Sequence, residues 1–423
     1  KSVAKRKYPP AAMITTDGFR DVIEIGRQRR KDLFDLYQQR PEPLIRRRFR
    51  YTVPGRMGAD CNEITPFDDV AAAEIARQIK ALNIGSVAIC FINAYVNPAH
   101  ERRMRDVLRN EHPECFVALS SDTVSKFREH GRFTTTTIRA VLLPVMSDYY
   151  DKLNSTLVDN GFKGSLLILK SNGGMMGVEL ARERPEETVE SGPAGGVAYA
   201  RFLSSNTDFP RIISTDMGGT TFDASIVEDG EGLITHDYDL EWEMPIVIPM
   251  LDIRSIGAGG GSIAWVDEGG SLRVGPQSAG SEPGPACYGR GGSEATITDA
   301  NLVLGRLEPT LSGKFPLDAG AAETAIAAVG EQVGLGMLET AEAVIEICCE
   351  NMAQAIKLVL VDRGRDPRDF AIASFGGAGA MHASFIARAM SIPKIVVPIN
   401  AGVGSAFGAI TMDLRHDLED FYY

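Results

Sequence analysis

The sequence predicts an α/β protein of two lobes, and three observations carry that expectation. At 423 residues the chain exceeds one ordinary domain. Short apolar, β-branched runs alternate with helical periodicity through the first half, as a layered α/β domain requires. In the second half, two glycine-rich turns, at 218–219 and 376–379, each leave an apolar strand-like run. A hydrophobic fraction of 44% beside 24% charged residues supports a sizeable core and excludes a largely disordered chain. Set against 56 Asp and Glu, 44 Lys and Arg leave a net charge of −12, which argues against a protein that holds nucleic acid by general electrostatics.

In chain order, the apolar run at 11–16 closes at Asp17 and Gly18 and reads as a buried strand, with a helix from about Phe19. A helix over 68–82, a strand over 86–92, a helix over 98–109 and a strand over 115–119 continue the alternation, and a long helix is expected over 136–159. A strand over 165–170 enters the turn SNGG at 171–174, and SGPAGG at 191–196 places Pro193 at a helix start among small residues. The polar, aperiodic stretch 204–208 sets the boundary, giving a first lobe over 1–205, a second over 206–400 and a connecting helix over 401–423. Within the second lobe, strand-like segments from Arg211 to Val274 precede a Gly- and Pro-rich loop over 275–292. Ala-rich helices over 319–333 and 338–361 and a strand over 370–375 follow.

Six cysteines, Cys61, Cys90, Cys115, Cys287, Cys348 and Cys349, form no CxxC pair, so neither a zinc motif nor a disulfide framework is legible, and a reducing cytoplasm fits. No apolar run approaches the ~18 residues of a membrane span, and the basic start lacks the apolar core of a secretion signal.

The most informative stretch, IISTDMGGTTFDASIV at 212–227, reads as strand, glycine turn, strand. Without Cβ atoms, Gly218 and Gly219 let the backbone turn tightly and aim N–H groups into a concavity. Phosphate oxygens can be held there by amides and by the hydroxyls of Thr220 and Thr221. Asp216 at the strand end can hold Mg²⁺ through water or orient a water; Asp223, on the following strand, is the second candidate acid. The plain alternative is an ordinary hairpin. A second turn, Gly376, Gly377, Ala378 and Gly379, leaves a strand and enters a helix, which suits close approach to a flat ring or a phosphate and equally suits tight strand–helix packing. His382 on that helix reads as a capping or packing residue. The run GAGGG at 257–261 lacks the helix of a dinucleotide motif, because SIAWV at 262–266 is strand-like. NAD and FAD are excluded there, and Gly259 and Gly260 remain candidate phosphate contacts or a plain loop. Cys287 has no histidine nearby in sequence, so a catalytic thiol is disfavoured, and Cys348 and Cys349 read as core.

These motifs resemble the hydantoinase A, oxoprolinase and acetone/acetophenone carboxylase family, whose nucleotide lobes are similar to those of actin, sugar kinases and heat-shock chaperones. The likeness runs through ITTDGFRDV at 14–22, EIGRQ at 24–28, SGPAGG at 191–196, DMGGT at 216–220 and Asp252 with IGAGGGS at 256–262. It continues through GPQSAG at 275–280, PGPACY at 283–288, TDAN at 298–301, RDPRDF at 365–370 and FGGAG at 375–379. The resemblance implies an actin-like ATPase fold in which Asp216 opens the second phosphate loop, Gly376 the adenosine loop, and SAFG at 405–408 the connecting helix. It further implies Mg·ATP as cofactor, phosphorylation of a cyclic amide or of an enolate, and a hetero-oligomer with a partner subunit of the hydantoinase B type. No nucleic-acid or membrane partner is implied. The substrate is then a hydantoin, 5-oxoproline, another lactam or a ketone, and a ketone carboxylase or a scaffold subunit of such an assembly are the alternatives. A chaperone shares the DMGGT turn but not PGPACY or the 257–262 turn. Family members open with a first Asp-x-Gly-Gly-Thr phosphate loop and continue into a further C-terminal domain. The expectation is therefore a piece of a longer subunit with half of the phosphate clamp, which by itself binds ATP weakly and does not turn it over.

Overall fold

Strand-forming runs with apolar residues on both faces build two separate sheets in the computed structural model, which describes residue 3 and residues 6–311, 313–361 and 363–417. The chain divides into two units. One comprises Lys1–Val189, Thr235–Met250 and Asp413–Tyr423, the other Glu190–Ile234 and Leu251–Met412.

In the first unit, β1 (Ala11–Thr16), β2 (Arg50–Val53), β3 (Ser86–Cys90) and β4 (Phe116–Leu119) form an all-parallel sheet in the order β2, β1, β3, β4. Parallel pairing needs crossovers, and α1 (Asp69–Ala81) and α2 (Ala99–Glu111) supply them. Alternation along the strands sorts the side chains. Ala12, Ile14, Val87 and Ile89 face Ala72, Ala76, Ile79, Met104 and Leu108 of these two helices. On the other face, Met13, Ala88 and Cys90 pack with Phe133, Ile138 and Val141 of α3 (Glu129–Asp159). Each of the Ile, Val, Leu, Met and Phe side chains among them, once fully buried, contributes roughly 1.5–3 kcal/mol, and each alanine less.

The long helix starts seven residues before the expected Thr136. Its first turns, with Gly131 and four threonines, have low propensity, but residues 131–137 are buried. Thr135 and Thr136 donate their hydroxyls back to the carbonyls of Gly131 (2.9 Å) and Arg132 (2.8 Å). Tertiary burial overrides propensity here. The helix expected from Phe19 is only a single turn, Val22–Ile25.

In the second unit, α4 (Ser191–Asn206) leads into the hairpin β5 (Arg211–Met217) and β6 (Phe222–Glu228), and β7 (Arg254–Ile256) pairs with β6. A separate antiparallel pair, β8 (Ser262–Val266) and β9 (Leu272–Ser278), precedes the helices α5 (Ile297–Val303), α6 (Ala319–Val333) and α7 (Met337–Val361). Then come β10 (Ala371–Phe375), α8 (Gly379–Met390), β11 (Lys394–Val396) and α9 (Gly404–Ile410). The main sheet runs Glu231–Gly232, β6, β5, β10, β11, with β10 parallel to both neighbours. Its two faces again read off alternation. Ile213, Ile226 and Ile372 join Val344, Cys348 and Met352 of α7, while Ile212, Val227 and Ala373 join Val197, Ala200 and Leu203 of α4.

That packing places α4 in the second unit rather than ahead of a boundary at 205. Likewise Met244, Ile246, Ile248 and Met250 pack with the first unit's core, so 235–250 leaves the expected second lobe. Of the expected connecting helix over 401–423, α9 forms Gly404–Ile410 within the second unit. Asp413 accepts from the Met175 amide at 2.9 Å in the first, and residues 418–423 lie outside the described residues. Among the described residues no helix is long and apolar enough to cross a membrane.

Candidate functional site

Strand β5 reaches the end of the sheet at Met217 and returns as β6 from Phe222, with Met217 opposite Phe222 and Asp216 opposite Asp223. Four residues make the turn. The Gly218 amide donates to the Thr221 carbonyl at 3.0 Å, leaving Gly219, Thr220 and Thr221 exposed.

Two further glycine segments meet this turn. The amides of Gly260 and Gly261 donate to the carbonyls of Gly218 (3.0 Å) and Gly219 (2.7 Å), and the Thr298 amide and hydroxyl both donate to the Gly260 carbonyl at 2.8 Å. A Cβ on Gly259 would overlap the backbone of Gly219 and Thr220. From the other strand, the Ala378 amide donates to the Met217 carbonyl at 3.1 Å, and Gly376 (φ +82°) has no room for a Cβ beside Asp216 and Met217. All the residues singled out in sequence around 216–221, 259–260 and 376–379 are thus neighbours. Their glycines differ in kind. A Cβ on Gly218, Gly219 or Gly377 would meet no atom within 4 Å, and none of the three has a positive φ.

Two carboxylates stand at the root of the hairpin. Asp216 accepts a short hydrogen bond from the Ser405 hydroxyl on α9, a partner that no local motif announces. The helix carrying it comes close because Gly404 and Gly408 lie against α4 and Phe375 with no space for side chains. Asp223 is pushed up to about 6, first by burial, then by the negative charges of Asp216 and Glu190, against hydrogen bonds from Ser255 and Thr221 that lower it. One of its oxygens, Oδ1, is buried without a hydrogen-bond partner.

The remaining candidates are structural. The His382 Nδ1–H donates to the Ala378 carbonyl at 2.9 Å, and Nε2 accepts from Asn301 at 3.3 Å. Burial lowers its pKa, so it is a neutral ring that fastens the start of α8. Cys287 is buried and its thiol is pushed up by burial and by Asp299. Asp299 itself accepts from the amides of Cys287 (2.8 Å) and Thr296 (2.9 Å) and from the Thr296 hydroxyl (2.7 Å), locking the PGPACY loop. Cys348 and Cys349 are core residues of α7. Among the described residues no cluster of three or more His, Cys, Asp or Glu could hold a metal ion by itself.

Comparison with known proteins gives consistent matches. The sequence profile described as Hydantoinase/oxoprolinase matches residues 132–418, and that of the Hydantoinase/oxoprolinase N-terminal region matches residues 1–112. An uncharacterised protein of Methanocaldococcus jannaschii is 42% identical over 97% of this chain and 62% of its own. The acetophenone carboxylase gamma subunit of Aromatoleum aromaticum is 32% identical over 98% of this chain and 58% of its own. The crystal structure of the ATP-dependent caprolactamase from Pseudomonas jessenii superposes with a TM-score of 0.86 at 33% identity, covering 98% of this chain and 61% of that one. The chain therefore spans about three fifths of the length of these relatives.

Proposed function

The chain belongs to the hydantoinase/oxoprolinase family and has its actin-like α/β fold, and from that premise we propose that it is the nucleotide-binding part of an ATP-dependent hydrolase that activates a cyclic amide for ring opening. The observation that carries this reading is the open glycine trio. Packing explains Gly376 and Gly259, whereas at Gly218, Gly219 and Gly377 an added Cβ would meet none of the described residues within 4 Å, which leaves room for a ligand to approach the backbone.

The residues present fit Mg·ATP. In this reading the turn 218–221 holds phosphate oxygens through amides and the Thr220 and Thr221 hydroxyls, and Gly376 to Gly379 bring the start of α8 toward the nucleotide. Asp216, oriented by Ser405, would hold Mg²⁺ through water. When bound, Mg·ATP supplies a transferable phosphoryl group for an amide oxygen. Asp223, above about pH 6 a carboxylate with a free oxygen, accepts a proton at Oδ1.

A partner subunit of the hydantoinase B type completes the assembly, in keeping with a relative that is itself named as a subunit. Cytoplasmic residence fits six free cysteines. The acetophenone carboxylase relative supports a second reading, in which a ketone enolate takes the phosphoryl group. Phosphate release from ATP by the full-length assembly, measured with lactams and with ketones plus bicarbonate, separates the two. In either case Asp216→Asn is expected to cut turnover about a hundredfold with an unchanged circular dichroism spectrum. Unchanged ATP hydrolysis removes Asp216 from the mechanism.

A further inference from the structure

Residues 26–44 of the first unit contain no helix or strand, and a loop of this length inside a compact domain is usually functional. Both of its ends are fastened. Arg27 pairs with Asp237 at 2.8 Å, and Arg29 pairs with Asp239 at 2.8 Å and with the buried Glu243 at 3.0 Å, while Leu44 and Ile45 enter the first unit's core. Between these anchors the tip uses one device twice, in DLF at 32–34 and DLY at 35–37. The Asp32 carboxylate accepts from the Phe34 amide and the Asp35 carboxylate from the Tyr37 amide, each at 2.9 Å. Leu33, Phe34, Leu36 and Tyr37 are thereby held in solvent, between 72% and 91% exposed. Beside them, Arg30, Lys31 and Arg40 make no ion pair among the described residues, and Arg30 and Arg40 donate only to backbone carbonyls. An anchored tip that combines four exposed apolar side chains with three uncompensated cations marks an interaction surface.

A surface of complementary character lies in the second unit. Along α7, Glu339, Glu342, Glu346 and Glu350 follow one another at three- and four-residue spacing, which sets them on one helix face over roughly 16 Å. All four are exposed. Among the described residues only Glu350 meets a cation, Lys357 at 3.5 Å. The exposed Leu338 stands one turn before Glu342, and the exposed Leu335 just ahead of the helix, so the acidic row begins at an apolar pair. The charge of the whole chain is divided in the same sense. Of its 44 Lys and Arg, 14 lie in the first 50 residues, with only 6 of its 56 Asp and Glu.

We propose that the occupant of the loop tip is a second copy of this chain: Leu33, Phe34, Leu36 and Tyr37 of one copy cover Leu335 and Leu338 of another, and Arg30, Lys31 and Arg40 meet Glu339, Glu342 and Glu346. Such a contact buries apolar surface on both sides and gives each cation a carboxylate, which steers the encounter and fixes its register. An anionic membrane suits the tip less well. Asp32 and Asp35 stand among the four apolar side chains, at the depth those side chains would enter, where a charge is costly and lipid phosphates repel it. Neither surface includes a residue of the glycine turns, so self-association does not depend on the nucleotide reading.

Sedimentation equilibrium of the full chain, over a range of concentrations at low and at high salt, tests this. Association that weakens at least about tenfold in high salt is expected. Three double variants at exposed positions, Phe34→Ser with Tyr37→Ser, Arg30→Glu with Lys31→Glu, and Glu342→Lys with Glu346→Lys, should each weaken it about tenfold or more with the melting temperature unchanged. Placing both charge reversals in one chain should bring association back to within about threefold of wild type, because the loop and the helix face are then complementary again. A chain that stays monomeric at every concentration overturns the proposal. So does association that the variants leave unchanged, or that the combined reversal does not restore. Loop variants that keep self-association but lose binding to a hydantoinase B-type subunit, or to phosphatidylserine-containing vesicles, overturn it in favour of that other occupant.

Discussion

Gly259 and Gly376 leave no room for a side chain, whereas at Gly218, Gly219 and Gly377, within the same few residues of space, an added Cβ would meet no atom within 4 Å. In sequence the three clusters look alike, each a short run of glycines beside a strand. The difference separates glycines that build the junction of the three segments from glycines that leave space beside it, the space the proposed nucleotide would use. Substitutions can separate the two kinds, because packing glycines should fail in folding and open glycines only in binding.

The largest effect is expected at Gly376. A side chain there must adopt a left-handed φ of +82° and displace Asp216 and the Met217 backbone, which together cost about 3–5 kcal/mol. Gly376→Ala should therefore lower the urea midpoint strongly or prevent accumulation of folded protein, and Gly259→Ala should do nearly the same by pushing on Gly219 and Thr220. Wild-type stability in either variant would mean that the three segments are not packed as described.

Gly219→Ala is the counterpart. Its Cβ enters open space at a permitted φ, so the melting temperature should stay within about 2 °C of wild type. Affinity for ATP, measured by calorimetry, should fall about tenfold, because the methyl group occupies the space a phosphate would use. A variant that binds ATP as the wild type does would break the comparison and reduce the open glycines to a plain hairpin.

Much of this was legible in the sequence, for definite reasons. Both sheets follow from alternation: Ala12 and Ile14 against Met13, and Ile212 against Ile213, point to opposite faces whatever lies beyond. The hairpin turn was legible because its glycines, threonines and acid are contiguous. Long-range choices were not. Periodicity marks 238–246 as strand-like but cannot say that Met244 and Ile246 pack with the core around Phe133. The docking of Gly260 and Gly261 on Gly218 and Gly219 uses backbone groups alone and leaves no side-chain signature. Ser405 meets Asp216 across 189 positions and gives no local pattern.

The smallest expected effect concerns the pair Asp216 and Asp223, which face each other in register yet differ in surroundings. Asp223 is raised from the usual 3.8 to about 6, chiefly by burial, so the folded state holds its proton more tightly than the unfolded chain does. Below about pH 4 the proton is bound in both states and the residue costs nothing. As pH rises toward 6 the unfolded chain releases it first, and above about 6 the folded protein carries a half-buried charge, so this group's share of stability is lost across that window. Two pKa units correspond to something on the order of 2 kcal/mol. Asp223→Asn cannot ionise, so its stability relative to wild type should climb between pH 4 and pH 6.5 by about that amount and then level off. Urea unfolding of both proteins at several pH values in that range, without nucleotide, reads this directly, and using the difference between pH values cancels any fixed loss of the Thr221 and Ser255 hydrogen bonds. A difference between the two proteins that is independent of pH would place the proton of Asp223 where an exposed aspartate keeps it, and would leave Asp223 no better suited than Asp216 to accept a proton near neutrality.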